Sequence, residues 1–238
     1  MFAYFANPAR FMALSRWLAP LLGLITALLL VYGLSLAVAV PDDYQQGATV
    51  KIMFVHVPAA WLGLFAYGCL AGASFFGLVF RHPLADAAAR AAAPLGAAFT
   101  ALALVTGSLW GRPMWGTWWA WGDARLTSEF ILFVFYLGYM ALYFAIDDEA
   151  KAARAAAILA LVGLVNLPIV HFSVEWWNSL HQVGSVGKKG ALAAVYLTPL
   201  LVMGLAYTTL FGALWLVRIR AEVFQRRANV LTAAEAEA

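Results

Sequence analysis

Charged side chains interrupt this sequence only at wide intervals. Between them run six stretches free of Asp, Glu, Lys and Arg: residues 17–41, 52–80, 91–111, 130–146, 155–174 and 190–217. Their lengths are 25, 29, 21, 17, 20 and 28 residues. A helix of roughly 20 apolar residues, within a range of about 17–25, crosses the hydrocarbon core of a bilayer, so each stretch predicts one membrane span. Lipid offers the backbone no hydrogen-bond partner, which requires helix unless strands close into a barrel. The strand-type alternation of a barrel is absent. The pattern therefore predicts an all-α integral membrane protein with six transmembrane helices. Residues 1–238 form a single membrane domain, with a Trp-rich loop between helices 3 and 4. The connections 81–90 and 147–154 are short, polar and Ala-rich, and the tail after Val217 reads as a frayed helix.

Composition narrows the class. The chain is 64% hydrophobic and 11% charged, against about 45–50% and about 25% for soluble domains. With a mean hydropathy of +0.82, a soluble globular protein is excluded. Disorder, which needs low hydrophobicity and high charge, is excluded too. The net charge of +3 sits at loop ends and gives no basis for nucleic-acid binding. The single cysteine, Cys69, can form no internal disulfide and reads as a small lipid- or helix-facing residue. The apolar run before Ala37-Val38-Ala39 is too long for a signal-peptide core, and Pro41 follows closely, so the first helix is expected to be retained.

Lys and Arg set the expected orientation. With the N-terminus inside, the cytoplasmic segments hold ten of them, and the opposite side holds five: Lys51, Arg112, Arg125, Lys188 and Lys189. Both termini are thus expected to be cytoplasmic. The outer loops, about 42–58, 111–129 and 173–189, hold most of the chemistry.

Six of the ten tryptophans lie in the second and third of these loops: Trp115, Trp118, Trp119, Trp121, Trp176 and Trp177. An interfacial aromatic belt is one reading; a stacking surface for a flat apolar ligand is the other. Pro113, Gly116 and Gly122 argue against a long helix there, and a short amphipathic helix in the interface is expected. Of the four histidines, His82 reads as a polar helix-end residue and His171 as a hydrogen-bonding partner for a neighbouring helix. His56 and His181 come from the loops flanking the Trp-rich segment. They are either a ligand pair for a metal or haem iron or two unrelated surface residues. Asp123 and Arg125 form a surface pair, or Arg125, with Lys51 or Arg112, receives a ligand carboxylate. Thr127 or Ser128 is expected to cap the fourth span, with Glu129 in its first turn. Glu175 has no evident role.

The run Trp115-Gly-Thr-Trp-Trp-Ala-Trp-Gly-Asp-Ala-Arg-Leu-Thr-Ser128 resembles the tryptophan-rich "WWD" segment of the haem-handling protein superfamily. Within it, His56-Val-Pro-Ala-Ala-Trp61 and the stretch from Asn166 to His181 are similar to the haem exporter protein C family (CcmC) of bacterial cytochrome c maturation. The resemblance extends over about residues 50–217. It implies a multi-pass protein of the bacterial inner membrane that holds haem b on its periplasmic face. His56 and His181 would be the axial iron ligands. Trp115, Trp118, Trp119 and Trp121 would form the platform, and Asp123 and Arg125 would orient the haem or meet the recipient protein. The implied partners are a periplasmic haem chaperone, the ATPase and permease subunits of an ABC transporter, a small single-span membrane subunit and membrane lipid. The sequence departs from the family pattern at Gly122, which separates Trp121 from Asp123. In a helix one extra residue turns everything downstream by about 100°.

Three other readings compete. They are a haem-c synthetase acting on apocytochrome, a membrane cytochrome b subunit and a haem permease. Cytochrome b subunits place histidine pairs within helices, and transporters show broken helices or repeats. No GxxxxGK[ST] loop occurs, so any ATPase must be another subunit. No Ser/His/Asp set or paired carboxylates share one loop, which leaves a haem-handling or haem-lyase-type subunit without a hydrolytic site.

Overall fold

The computed structural model describes residues 7–182 and 192–237, and their regular secondary structure is helical throughout. Six segments are long and apolar enough to cross a membrane. The first is α1 (Pro8–Ala39). A 3-10 turn (Ala48–Ile52) runs into α2 (Met53–Phe80), and then come α3 (Ala85–Trp115) and α4 (Ala124–Ala145). The fifth segment is two helices, α5 (Glu149–Gly163) and α6 (Asn166–Trp176), and the sixth is α7 (Ala194–Glu237). Lys188 and Lys189, together with residues 183–187, fall outside the described residues.

The helices overrun the charge-free stretches because charged residues near their ends stay helical and find partners. α1 begins at Asn7, whose side chain accepts from Ala9 N, with Pro8 at the first helical position, where its missing N–H costs nothing. Arg220 of α7 donates to the Met12 carbonyl at 2.7 Å and to Ser15 at 3.0 Å, so the start of α1 lies beside the later part of α7. The pair runs antiparallel. Thr26 donates to Thr209 at 2.9 Å, and Gly33 faces Met203, whose sulfur a Cβ would meet at 2.7 Å. At the same end, Asp86 of α3 accepts from Tyr143 and Arg226, while Arg90 reaches Glu149 and Glu222. These contacts tie α3, α4, α5 and α7 together.

The centre is built from α2, α3 and α4. Tyr136 is fully buried and donates to the Gly63 carbonyl at 2.7 Å, across a space that only a glycine at position 96 leaves open. The fifth segment breaks at residues 164–165. Pro168 has no N–H to offer the Leu164 carbonyl, which instead accepts from Leu167 N. Asn166 at the restart donates its side-chain amide to the Ser128 carbonyl of α4 at 2.9 Å. A broken span is one of the features expected of a transporter, but here proline and packing account for it.

Candidate functional site

His56 lies in the first turn of α2 rather than in a loop. Its Nδ1 donates to the Ala103 carbonyl of α3 at 3.0 Å and also faces the Thr106 hydroxyl at 3.1 Å. Thr106 spends its own proton on the Leu102 carbonyl, so both partners act as acceptors. This fixes the hydrogen on Nδ1 and leaves the Nε2 lone pair free. Trp110 approaches the ring edge-on at 5.7 Å and is held by Gln46, which accepts from its Nε1 at 3.0 Å. Gly107 keeps α3 close: a Cβ there would sit 3.0 Å from His56 Cε1.

His181 follows α6 in the loop 177–182. Its Nδ1 lies 3.3 Å from Asp123 Oδ1 and 3.4 Å from Ser179 Oγ. Ser179 donates to Asp123 Oδ2 at 2.8 Å, so its oxygen is also an acceptor. Among the described residues Nδ1 again faces acceptors only, and none of them bonds Nε2. Trp115 meets the ring edge-on at 4.8 Å. Burial holds the imidazole below its usual range, with Arg125 adding to this and Asp123 opposing it. The ring is therefore neutral near pH 7, the form that ligates metals.

Asp123 joins these elements. It is 4% exposed. Oδ1 accepts from Leu126 N at 3.0 Å, which makes Asp123 the N-cap of α4, and Oδ2 accepts from Leu180 N at 2.7 Å. Burial alone would raise its carboxyl pKa. The Leu126 and Leu180 amides, the Ser179 hydroxyl and His181 outweigh burial and hold it below the usual carboxylate range. The cap expected at Thr127 or Ser128 is thus corrected. α4 starts four residues before Ser128, Thr127 donates back to the Trp121 carbonyl, and Ser128 donates to the Ala124 carbonyl. The expectation of a surface pair between Asp123 and Arg125 is also corrected, since Asp123 is buried.

His56 and His181 line one small cavity, together with Ala60, Ala103, Leu104, Arg125, Leu126 and Glu129. Its volume of about 20 Å³ holds a single water. Glu129 is 7% exposed, and its Oε1 has no hydrogen-bond partner among the described residues. It is a buried functional candidate, where the sequence suggested only a structural first-turn charge. Its spacing of four residues from Arg125 was the available signal, because it puts both on one helix face.

The expected interfacial helix is absent. Residues 117–123 run as bends and a turn, and Gly122 lies in that turn just before the cap, so it imposes no helical rotation on Asp123. Trp115 closes α3. Trp118 is exposed, with the Arg112 guanidinium 5.9 Å above its ring. Trp119 and Trp121 pair at 5.4 Å and both meet Phe130 edge-on. Trp119 Nε1 is buried without an acceptor among the described residues. Trp121, Trp176 and Trp177 are exposed. Of these tryptophans Trp115 meets one of the two histidines, and none lines the cavity between them. His82 Nδ1 accepts from Leu84 N at the α2–α3 turn, in keeping with a helix-end role. His171 is exposed and edge-on to Phe172, and it makes no interhelical hydrogen bond among the described residues.

The donor set suits a haem iron: two imidazoles, each with Nδ1 engaged and Nε2 free, amid aromatic side chains. The space between them, about 20 Å³, is too small for a macrocycle.

A family model described as "Heme exporter protein C" matches residues 1–234. A protein of that name from Bradyrhizobium diazoefficiens is 60% identical over 228 residues, covering 95% of this chain and 86% of the relative. The one from Escherichia coli (strain K12) is 46% identical over 219 residues, covering 90% and 87%. That from Paracoccus denitrificans is 44% identical over 234 residues, covering 97% of each. With the match running through all six spans and both histidine segments, the chain belongs to the haem exporter protein C family.

Proposed function

We propose that this protein binds haem at the outer, periplasmic face of the bacterial inner membrane and presents it to a periplasmic haem chaperone for c-type cytochrome maturation. The observation that carries the reading is the pair His56 and His181, which line one cavity with Nδ1 hydrogen-bonded and Nε2 free on each ring. Haem b, when bound, would accept the Nε2 lone pairs of His56 and His181 at its iron, and two imidazole ligands would limit oxygen chemistry there. His56 is the fixed ligand, anchored between two helices. His181, on a loop, is the one that moves to admit or release the ligand. The buried Trp119 N–H and the Arg125 guanidinium are donors for propionates, and Trp115, Trp118 and Trp121 cover apolar porphyrin surface.

In this reading residues 1–238 act as one membrane domain with both termini cytoplasmic, and 111–129 is its periplasmic WWD segment. The cytoplasmic ends face the ATPase and permease subunits of an ABC transporter, and a small single-span subunit and lipid contact the outer helices. Co-purification from haem-replete cells tests the assignment. A haem chaperone retained in a haem-dependent manner supports it. Retention of apocytochrome instead favours a haem-c synthetase, and haem with neither partner, surviving loss of both histidines, favours a cytochrome b subunit.

A further inference from the structure

The first outer loop reaches the histidine site through one side chain. Residues 43–47 close a tight turn: Asp43 N donates to the Gly47 carbonyl at 3.2 Å, and Gly47 N donates back to the Asp43 carbonyl at 2.8 Å. Asp43 Oδ1 accepts from Gln45 N and Gln46 N, both at 2.9 Å, and the Thr49 hydroxyl donates to the Gln46 carbonyl at 2.6 Å. Gly47 sits at φ 55°, where glycine alone is unstrained. These bonds lock the Gln46 backbone and leave its side chain for Trp110, 64 residues away, whose Nε1 donates to Gln46 Oε1 at 3.0 Å. Trp110 lies one helical turn beyond Thr106 on α3, and both face His56.

Ala103 and Thr106 hold only the Nδ1 edge of the His56 ring. The torsion that tilts an imidazole about its Cβ–Cγ bond is broad, so a bond at one nitrogen does not set the plane. The Trp110 indole, at an interplanar angle of 78°, closes off that tilt. The Nε2 lone pair lies in the ring plane, so its aim depends on this contact. We propose that Gln46 is a positioning residue for His56: by holding the Trp110 indole it fixes the plane of the imidazole and with it the direction of the Nε2 lone pair. The ring geometry belongs to the ligand-free protein; its use in holding iron rests on the bis-histidine reading above. Outer-shell partners of ligating histidines typically matter about 10–100-fold in affinity.

The test uses full-length protein in detergent. Gln46→Leu removes the acceptor, Gln46→Glu keeps one, Trp110→Phe removes the donor, and Gln45→Leu changes an exposed neighbour on the same turn. Nitrogen NMR of ligand-free protein reads the His56 ring, whose signal is identified by its loss in His56→Ala. The Nδ1–H tautomer is expected in every variant, because Ala103 and Thr106 remain. The signal is expected to shift and broaden in Gln46→Leu and Trp110→Phe, to recover in Gln46→Glu and to stay unmoved in Gln45→Leu. Haem retention is expected to fall about tenfold in Gln46→Leu. The double variant with Trp110→Phe should be no worse than Trp110→Phe alone, since the two side chains act as one unit. Losses that add, an unmoved His56 signal in Gln46→Leu, or an equal change in Gln45→Leu overturn the proposal. If Gln46→Leu does not elute as folded protein, the wild type decides. A Trp110 indole N–H protected from solvent exchange and in contact with the His56 ring supports the proposal, and a freely exchanging one contradicts it. The two readings fail separately. An unmoved His56 signal beside a six-coordinate wild-type spectrum removes only the role of Gln46. A spectrum that survives loss of both histidines removes the ligand assignment, while the ring signal still reports on Gln46.

Discussion

The Asp123 carboxylate and the His181 imidazole face each other at 3.3 Å, although 57 residues separate them and one begins a helix while the other lies in a loop. The same carboxylate caps α4 through Leu126 N and holds the loop through Leu180 N. A single side chain thus fixes where α4 starts, where the loop lies and which nitrogen of His181 carries hydrogen. The motif aspartate meets His181, the proposed iron ligand, in addition to the haem or partner contact that the family resemblance implies for it. In metal sites such a carboxylate orients the ring and raises its basicity.

Replacing Asp123 therefore alters His181 before any haem is present. In ligand-free protein, nitrogen NMR is expected to find His181 as the Nδ1–H tautomer, and as a mixture in Asp123→Asn. Asp123→Ala loses the cap as well, at about 0.5–2 kcal/mol. An unchanged tautomer in both variants would remove the orienting role.

The pH dependence has a definite sign. Asp123 has a lowered folded pKa, so its stabilisation is complete above the ordinary carboxylate value of about 3.9 and is lost as pH falls through the lowered one. His181 is lowered too, so its contribution begins to fade below about 6.5, and more steeply without Asp123, which raises it. The Tm gap between wild type and Asp123→Asn should hold or widen slightly from about pH 7 to 5 and close only below about 3.9. A gap that has closed by pH 5 would contradict this.

The two glycines of the Trp-rich segment should respond differently. Gly116 sits at φ 74°, where an L-residue is strained, and closes α3. Gly122 has open space around it and no positive φ. Gly116→Ala is expected to cost about 1–2 kcal/mol and Gly122→Ala close to nothing, read by thermal unfolding in detergent. Equal costs would mean that Gly122 does more than occupy a turn.

His56 offers a more local probe. The Cβ of Gly107→Ala would press on its ring at 3.0 Å, while Gly23→Ala meets nothing within 4 Å. The first is expected to shift the absorption bands of bound haem or weaken its retention while helix content stays unchanged. The second is expected to leave the spectrum as it is. Identical spectra in both would place His56 away from the iron.

The spacing of charges foretold the six spans and their helical character, because lipid leaves few alternatives. Their ends were hidden, since a charge stays in a helix when a distant partner meets it, as Arg226 meets Asp86 across 140 residues. The pairing of His56 with His181 was equally unreadable from spacing. It depends on α2 packing closely against α3 at Gly107 and on a loop tied down by Asp123. Asp123 carried a usable signal as an acidic residue three positions before Leu126 at a helix start, but Thr127 and Ser128 offered the same one. Glu129 was misread because its neighbours Thr127 and Ser128 resemble a helix start, while its burial follows from α4 packing around Gly63 and Thr100.

The most direct measurement is the absorption spectrum of purified, haem-loaded wild-type protein beside His56→Ala, His181→Ala and His82→Ala. The account predicts a six-coordinate low-spin haem in wild type and in His82→Ala, and its loss in both of the other variants. A six-coordinate spectrum that persists in His56→Ala and His181→Ala would contradict haem presentation by this pair.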